Sequence, residues 1–212
     1  MTARPLLRFA LAAIVAFAAG LILARVFFTP REAPVTEHVT ILPQPRALPP
    51  LDLVDQDSRA LPRDFLRDGW TLVFFGFTQC PDVCPTTLAT LAQLKKQLAD
   101  LPAGQQPRVL LVSVDPERDT PAILKPYVTF FDPSFMGATG TLAATTQAAT
   151  AFSVPFAKVP LPGGGYTMDH GAGLFVVSPA GALAAYSSPP LDVTVLGRDY
   201  RKVVQYFEDS RR

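Results

Sequence analysis

Apolar residues are distributed along the chain in two patterns. Continuous apolar runs are typical of buried strands, and a spacing of three or four residues is typical of amphipathic helices. Continuous apolar runs at 71–77 and 108–114 predict two strands that are buried on both faces. Large apolar residues recur every three or four positions over 86–100 and over 195–207, which predicts two helices. Strands that alternate with helices indicate an α/β sandwich with a mostly parallel central sheet.

The remaining patterned segments extend this prediction. Asp119, Thr120 and Pro121 are typical of a helix start, with a capping side chain followed by proline in the first turn. A further helix is expected over 141–152, where Thr141 can cap the first turn. Two strands are expected at 172–178 and 182–186, joined by a Pro-Ala-Gly turn.

The first 28 residues are strongly apolar, and residues 9–24 carry no charged or strongly polar side chain. With its extension past Arg25 the apolar stretch has about 20 residues and, as a helix, would span roughly 30 Å, the thickness of a bilayer. This predicts an N-terminal transmembrane helix, and two arginines before it favour a cytoplasmic N-terminus and a domain in the bacterial periplasm. A signal peptide cleaved after Ala18 is the alternative.

Six prolines fall between residues 29 and 50, which predicts an extended linker. Residues 51–212 then form one domain. The whole chain of 212 residues holds 19 Lys and Arg against 18 Asp and Glu, a net charge of +1. This balance excludes a global attraction to nucleic acid.

Candidate chemistry is concentrated at the only two cysteines, Cys80 and Cys84, between the first buried strand and the following helix. Unpaired N–H groups at a helix N-terminus lower the pKa of a thiol, and the thiolate is both the nucleophile and the metal ligand. On one helical turn the two α-carbons lie roughly 6 Å apart, so the pair can close as a disulfide or open around a metal. The alternative is that both cysteines only pack as small apolar side chains.

His170 is the only histidine of residues 51–212 and directly precedes a predicted strand. A lone histidine is more often structural, but this one could reach the cysteines, and two thiolates with one imidazole form a soft site that suits copper(I). A zinc site needs a fourth ligand, which Asp82 or Asp169 could supply, and Met168 could offer a thioether or simply pack. Asp115 could accept a hydrogen bond near the metal or within its own loop.

Three blocks of the sequence resemble the signatures of one family. The residues FFGFTQCPDVCP at 74–85, VSVDPERDTP at 112–121 and YTMDH at 166–170 are similar to those of the Sco/SenC family. These are membrane-anchored, thioredoxin-like copper proteins of cytochrome c oxidase assembly. The resemblance covers residues 51–207 and implies a thioredoxin-like fold.

The resemblance also implies a site and a role. Cys80, Cys84 and His170 are expected to bind copper as Cu(I), with Cu(II) as an alternative state. The metal would come from a donor protein and go to the binuclear copper centre of oxidase subunit II. The same resemblance allows a thiol–disulfide oxidoreductase, in which a Cys80–Cys84 disulfide forms as the copper-site cysteines of that subunit are reduced. Asp82, Asp115 and Asp169 are candidates for hydrogen bonding around the ligands.

Two further points complete these expectations. Gln79 stands where many members of the family carry histidine, at a position that is not a required ligand. A thiol peroxidase or copper-responsive redox sensor is a third hypothesis, although only Thr78 could serve as an activating neighbour of a peroxidatic cysteine.

Overall fold

A computed structural model describes residues 3–28, 32–67 and 69–209. The chain divides into two compact units, Met1–Ala33 and Pro34–Arg212. Its helices and strands are, in chain order, α1 (Ala3–Phe28), β1 (Val39–Ala47), β2 (Val54–Asp55), β3 (Thr71–Gly76), α2 (Val83–Gln97), β4 (Arg108–Ser113), α3 (Pro121–Phe131), β5 (Met136–Thr139), α4 (Leu142–Ala151), β6 (Phe156–Pro160), β7 (Tyr166–His170), β8 (Leu174–Ser178), β9 (Ala182–Ser187) and α5 (Val193–Asp209).

The first unit contains the single helix α1. A helix here agrees with the many Ala and Leu residues of the segment, which favour helical backbone. Across the ranges that the structure describes, however, none of the helices combines the length and the apolar character that crossing a bilayer requires. The predicted transmembrane helix is therefore not supported.

The second unit is built on a seven-stranded sheet in the order β1-β9-β8-β3-β4-β5-β2. Only the β3–β4 and β4–β5 pairs are parallel, and each is connected through a helix, α2 or α3. The other four pairs are antiparallel. The expected mostly parallel sheet is thus wrong outside the centre. A short turn reverses the chain between β8 and β9, and the strands β1, β2 and β8 pair with β9, β5 and β3 in the opposite direction across long separations in the sequence.

The strand β1 lies inside the predicted linker at 29–50 and pairs with β9 at one edge of the sheet. Its pairing is interrupted between Ile41 and Arg46, where Pro43 and Pro45 stand. Proline cannot donate to a ladder and is therefore confined to edge strands and bulges, which is where these prolines lie. The linker prediction failed here because a proline-rich segment can still pair along a sheet edge.

The centre of the sheet agrees with the prediction. All six residues of β3 are buried, and so are five of the six residues of β4. The predicted helix at 141–152 is observed as α4, and Thr141 accepts a hydrogen bond from the Ala144 amide at 3.1 Å. The second helix begins at Val83, three residues before its predicted start, so Cys84 belongs to its first turn.

The strands β6 and β7 form a separate two-stranded hairpin, in which Phe156 pairs with His170 and Pro160 pairs with Tyr166. Its turn contains Gly164 and Gly165 at φ angles of 90° and 75°, which glycine adopts without steric cost. The glycine run at 163–165 therefore forms the tip of this hairpin. His170 is the last residue of β7, so a strand carries it.

Candidate functional site

The two cysteines lie where β3 leads into α2. The Cys84 amide donates to Cys80 Sγ at 3.4 Å, so the two residues occupy one turn of the chain. Both are free thiols, Cys84 fully buried and Cys80 half-buried. This arrangement gives the pair one confined sulfur and one that solvent can reach.

The space around Cys84 is set by Gly76 at the end of β3. A β-carbon at Gly76 would lie only 2.9 Å from Cys84 Sγ, so a larger residue would displace the sulfur. Burial raises the pKa of the Cys84 thiol, and the hydrogen bond with Cys80 raises it further. Without a metal or a base, Cys84 is therefore protonated near neutral pH.

His170 brings a nitrogen to the buried sulfur. Its Nε2 lies 3.8 Å from Cys84 Sγ, although the two residues are 86 positions apart in the sequence. Its Nδ1 is 3.1 Å from the Gly171 carbonyl oxygen, which can only accept, so the proton belongs on Nδ1 and the lone pair of Nε2 faces the sulfur. Burial lowers the pKa of His170, and this favours the neutral imidazole that a metal requires.

The types of donor atom at this site suit a soft metal ion, but the three side chains are not yet arranged around one point. Two sulfurs and one imidazole nitrogen are ligands that copper(I) prefers. Among the residues that the structure describes, no group of three or more His, Cys, Asp or Glu side chains is arranged to hold a metal. The Cys84–His170 pair is in place, so a three-donor site requires a local shift that brings in the Cys80 thiol.

The three predicted aspartates have different surroundings. Asp82 is exposed at the start of α2 and accepts from Thr86 Oγ1 at 3.4 Å, and Asp169 is exposed beside His170. Asp115 is fully buried, and its carboxylate accepts hydrogen bonds from Arg118 and from the Tyr166 hydroxyl. Asp115 therefore supports the loops around the site rather than the ligands directly.

Asp119 has a role that the sequence analysis assigned differently. The N-cap of α3 is Thr120, without a side-chain capping bond, so the predicted capping is wrong. The Asp119 carboxylate instead accepts from the Thr78 amide at 3.1 Å and from Ser113 Oγ at 2.6 Å. Through these two hydrogen bonds the Asp119 side chain connects the segment that leads to the cysteines with the end of β4.

Arg118 is the residue that the sequence analysis missed. Its Nη1 donates to Gln79 Oε1 at 2.8 Å and to the Tyr166 carbonyl oxygen at 2.9 Å. The guanidinium carbon lies 3.9 Å from the centre of the Tyr166 ring. A basic residue between Asp115 and Asp119 was the available signal, but the sequence does not tell which loops such a residue joins.

Comparisons with known proteins identify the family and the fold of this chain. The SCO1/SenC family model matches residues 41–205 of the chain. A protein of Stutzerimonas stutzeri named as copper-binding is 36% identical over 163 residues, which cover 76% of this chain and 78% of that protein. The mitochondrial SCO2 homolog of Bos taurus is 35% identical over 137 residues, covering 64% of this chain and 52% of that protein. The chain thus spans about half the length of that mitochondrial relative.

A solved structure shows the same architecture. The crystal structure of Arabidopsis thaliana ScoI with copper bound matches with a TM-score of 0.70 and 29% sequence identity, over 75% of this chain and 99% of that one. The likeness confirms the predicted thioredoxin-like α/β fold.

Proposed function

This chain belongs to the SCO1/SenC family, and on that premise we propose that it is a copper metallochaperone for the binuclear copper centre of cytochrome c oxidase. Cys80, Cys84 and His170 hold the ion as Cu(I), and it is passed to oxidase subunit II by ligand exchange. The observation that carries the proposal is the 3.8 Å approach of His170 Nε2 to Cys84 Sγ across 86 residues of sequence.

The protonation states of the ligands suit reversible binding. His170 is neutral and directs its Nε2 lone pair at the sulfur, so it needs no proton loss. Burial raises the pKa of Cys84, so copper itself must displace that proton, as a coordinated thiol is deprotonated by its metal. Cys80 is half-buried and therefore the more accessible thiol of the pair, so an incoming thiolate of the partner can replace it first.

Access from outside supports transfer to another protein. An open pocket of about 300 Å³ lies beside His170 and is lined by Pro155, Phe156, Ala157, Asp169, His170 and Gly171. Ligand groups of a second protein can therefore approach the imidazole side of the site without unfolding the domain.

The test is a Cu(I) titration of the reduced chain without oxygen, against a competing chelator. We expect one tight equivalent in the wild type and a loss of about 100-fold or more in Cys80→Ser, Cys84→Ser and His170→Ala, since a lost ligand costs at least as much as a lost ligand support. His38→Ala is the matched control, because it removes the other histidine and should bind as the wild type does. Unchanged affinity in His170→Ala would remove that residue from the site.

A second candidate is a thiol–disulfide oxidoreductase, favoured by two free thiols of unequal exposure. The Cys80 thiolate attacks a partner disulfide, forms a mixed disulfide and releases one partner thiolate. The Cys84 thiol then gives its proton to the partner thiolate just released and attacks Cys80 Sγ, which frees the second partner thiolate and leaves a Cys80–Cys84 disulfide. Two electrons pass to the partner, whose cysteines become ready to bind copper.

The two candidates are separated by His170. Reduction of oxidised subunit II requires both cysteines and survives His170→Ala, whereas copper retention does not. Failure of the reduced chain to reduce that subunit at a measurable rate would reject the oxidoreductase.

The copper donor and the periplasmic location of the domain remain predictions. Binding of the copper-loaded chain to the isolated soluble domain of subunit II, and fractionation of cells that express the chain, are the direct measurements.

A further inference from the structure

The position of His170 depends on a hairpin that is not part of the main sheet. The strands β6 and β7 pair only with each other among the strands described. An isolated two-stranded hairpin is at best marginally stable in water, so contacts with other elements must hold it in place. Those contacts therefore help to fix the distance between His170 and Cys84.

One guanidinium supplies several of these contacts at the other end of β7. Arg118 donates from Nη1 to the Tyr166 carbonyl oxygen at 2.9 Å and stacks on the Tyr166 ring at 3.9 Å. The Tyr166 hydroxyl donates to Asp115 Oδ1 at 2.9 Å, and Asp115 Oδ2 accepts from Arg118 Nε. Arg118, Tyr166 and Asp115 thus form a closed triangle, called here the Arg118 clamp, between the hairpin and the loop after β4.

The same guanidinium reaches the cysteine loop. Its Nη1 also donates to Gln79 Oε1 at 2.8 Å, directly before Cys80. The loop after β4 is itself held by hydrogen bonds to Ser113 Oγ. This hydroxyl accepts from the Asp115 amide at 3.0 Å and donates to the Asp119 carboxylate at 2.6 Å. Arg118 is therefore the side chain that connects the segment of one cysteine ligand with the strand of the histidine ligand.

The position of the Arg118 guanidinium is not explained by complete hydrogen bonding of its nitrogen atoms. Arg118 Nη2 is buried and has no hydrogen-bond partner among the described residues. A buried donor without a partner reduces stability, so stability alone is a poor reason for a guanidinium at this position. Fixing the relative position of two ligand-bearing segments is a reason that the contacts themselves provide.

We propose that Arg118 is a positioning residue for His170. Through the Arg118 clamp and its hydrogen bond to Gln79, Arg118 fixes the position of the β6–β7 hairpin relative to the cysteine loop, so that the imidazole stays within reach of Cys84. The proposal rests on the proposed copper site for its role, but the hairpin position is a property of the metal-free chain. Arg118 acts through His170 and does not touch the metal.

The test measures Arg118→Met in two backgrounds. Methionine keeps an unbranched apolar stem against Tyr166 and removes the charge and the donor fork. In the chain that keeps His170, we expect Cu(I) affinity to fall about tenfold, the loss typical when a residue that positions a metal ligand is removed. In the His170→Ala background we expect less than about a twofold effect, because there is no imidazole left to position. Equal losses in both backgrounds would overturn the proposal, and so would the absence of a loss.

Arg201→Met is the matched control. Arg201 also bridges two segments, donating to the Gln97 carbonyl oxygen at 3.0 Å and to Asp100 Oδ1 at 2.6 Å, but it does so between α5 and the end of α2 with the turn that follows it. Its replacement should leave Cu(I) affinity unchanged in both backgrounds. A loss as large as that of Arg118→Met would show that removal of any bridging arginine weakens the site.

A measurement without copper separates this proposal from the proposed function. Amide hydrogen exchange at 166–170 should accelerate about tenfold in Arg118→Met and stay unchanged in Arg201→Met, since exchange reports local opening. If the wild type binds no copper, the proposed function fails, while faster exchange still supports the clamp. Unchanged exchange in Arg118→Met would overturn the clamp whatever the copper result.

Discussion

The close approach of Gly76 to the buried sulfur predicts that Gly76→Ala disturbs the site from inside the core. The new β-carbon would lie 2.9 Å from Cys84 Sγ, 2.9 Å from Phe74 Cε1 and 3.2 Å from Leu111 Cδ1. Ordinary non-bonded contacts are about 3.5–4.0 Å, so Cys84 Sγ and Phe74 Cε1 must retreat by roughly 0.6–1.1 Å and Leu111 Cδ1 by roughly 0.3–0.8 Å. Cys84, Phe74 and Leu111 are all fully buried, so no free space receives them.

The expected size of the effect follows from two opposing contributions. Overpacking a close-packed core costs about 1–3 kcal/mol, and replacing glycine within a strand recovers about 0.5–1 kcal/mol. The difference between the two ranges is about 0–2.5 kcal/mol, and because all three neighbours are fully buried we expect a net loss in its upper half, about 1–2.5 kcal/mol, in the free energy of unfolding. Displacing Cys84 Sγ should also weaken Cu(I) binding by about tenfold, as disturbed support of a ligand usually does.

Urea unfolding of the copper-free chain measures the stability change, and chelator competition measures the affinity. Gly104→Ala is the control, because nothing lies within 4 Å of its β-carbon position. Combining Gly76→Ala with Cys84→Ala removes one of the clashes, so the cost of the glycine substitution should shrink by at least about 0.5 kcal/mol. A Gly76→Ala chain with unchanged stability, or a cost that is the same without the sulfur, would refute the idea that Gly76 fixes Cys84.

Two further predictions concern the thiols and the loop beneath them. Iodoacetamide should modify Cys80 well before Cys84 in the folded chain, because Cys80 is only half-buried, whereas Cys84 is buried and burial raises its pKa. Peptide mass spectrometry measures the labelling, and equal labelling of the two cysteines would contradict this. Burial also raises the pKa of Asp119 above its ordinary 3.8, so the folded state binds this proton more tightly than the unfolded state does. The contribution of Asp119 to stability is then fully present below pH 3.8 and is lost as the pH rises through the raised pKa. Urea unfolding across that range should show this decline in the wild type but not in Asp119→Asn, and parallel pH profiles would contradict it.

The elements that the sequence predicted well are those whose signal is local. A continuous apolar run can be buried on both faces only in the middle of a sheet, which is why β3 and β4 were found within one residue of their predicted ends. The predicted Thr141 cap of α4 is equally local, because threonine is among the residue types preferred at the first turn of a helix.

The elements that were missed depend on partners far away in the sequence. The proline-rich segment around β1 became a strand because β9 offers a free edge, and the Asp199 carboxylate accepts the Glu37 and His38 amides at 2.9 Å and 2.8 Å just before that strand. The role of Arg118 likewise depends on the Tyr166 backbone, 48 residues away. No pattern within a short window of sequence contains such pairings.

The three expected ligands differ in how firmly the fold holds them, and this difference bears on the proposed transfer of copper to a partner. Cys84 is fixed in the core beneath Gly76, His170 is carried by a hairpin that depends on the Arg118 clamp, and Cys80 is the residue that solvent reaches. A site with three rigid ligands would bind tightly but resist ligand exchange, whereas three mobile ligands would lose too much conformational entropy on binding. In the proposed transfer, Cys84 and His170 are the ligands that the fold holds in place and Cys80 is the adjustable one, so a partner thiolate would replace Cys80 first. Cys84, which is fully buried, would be the last to release the ion.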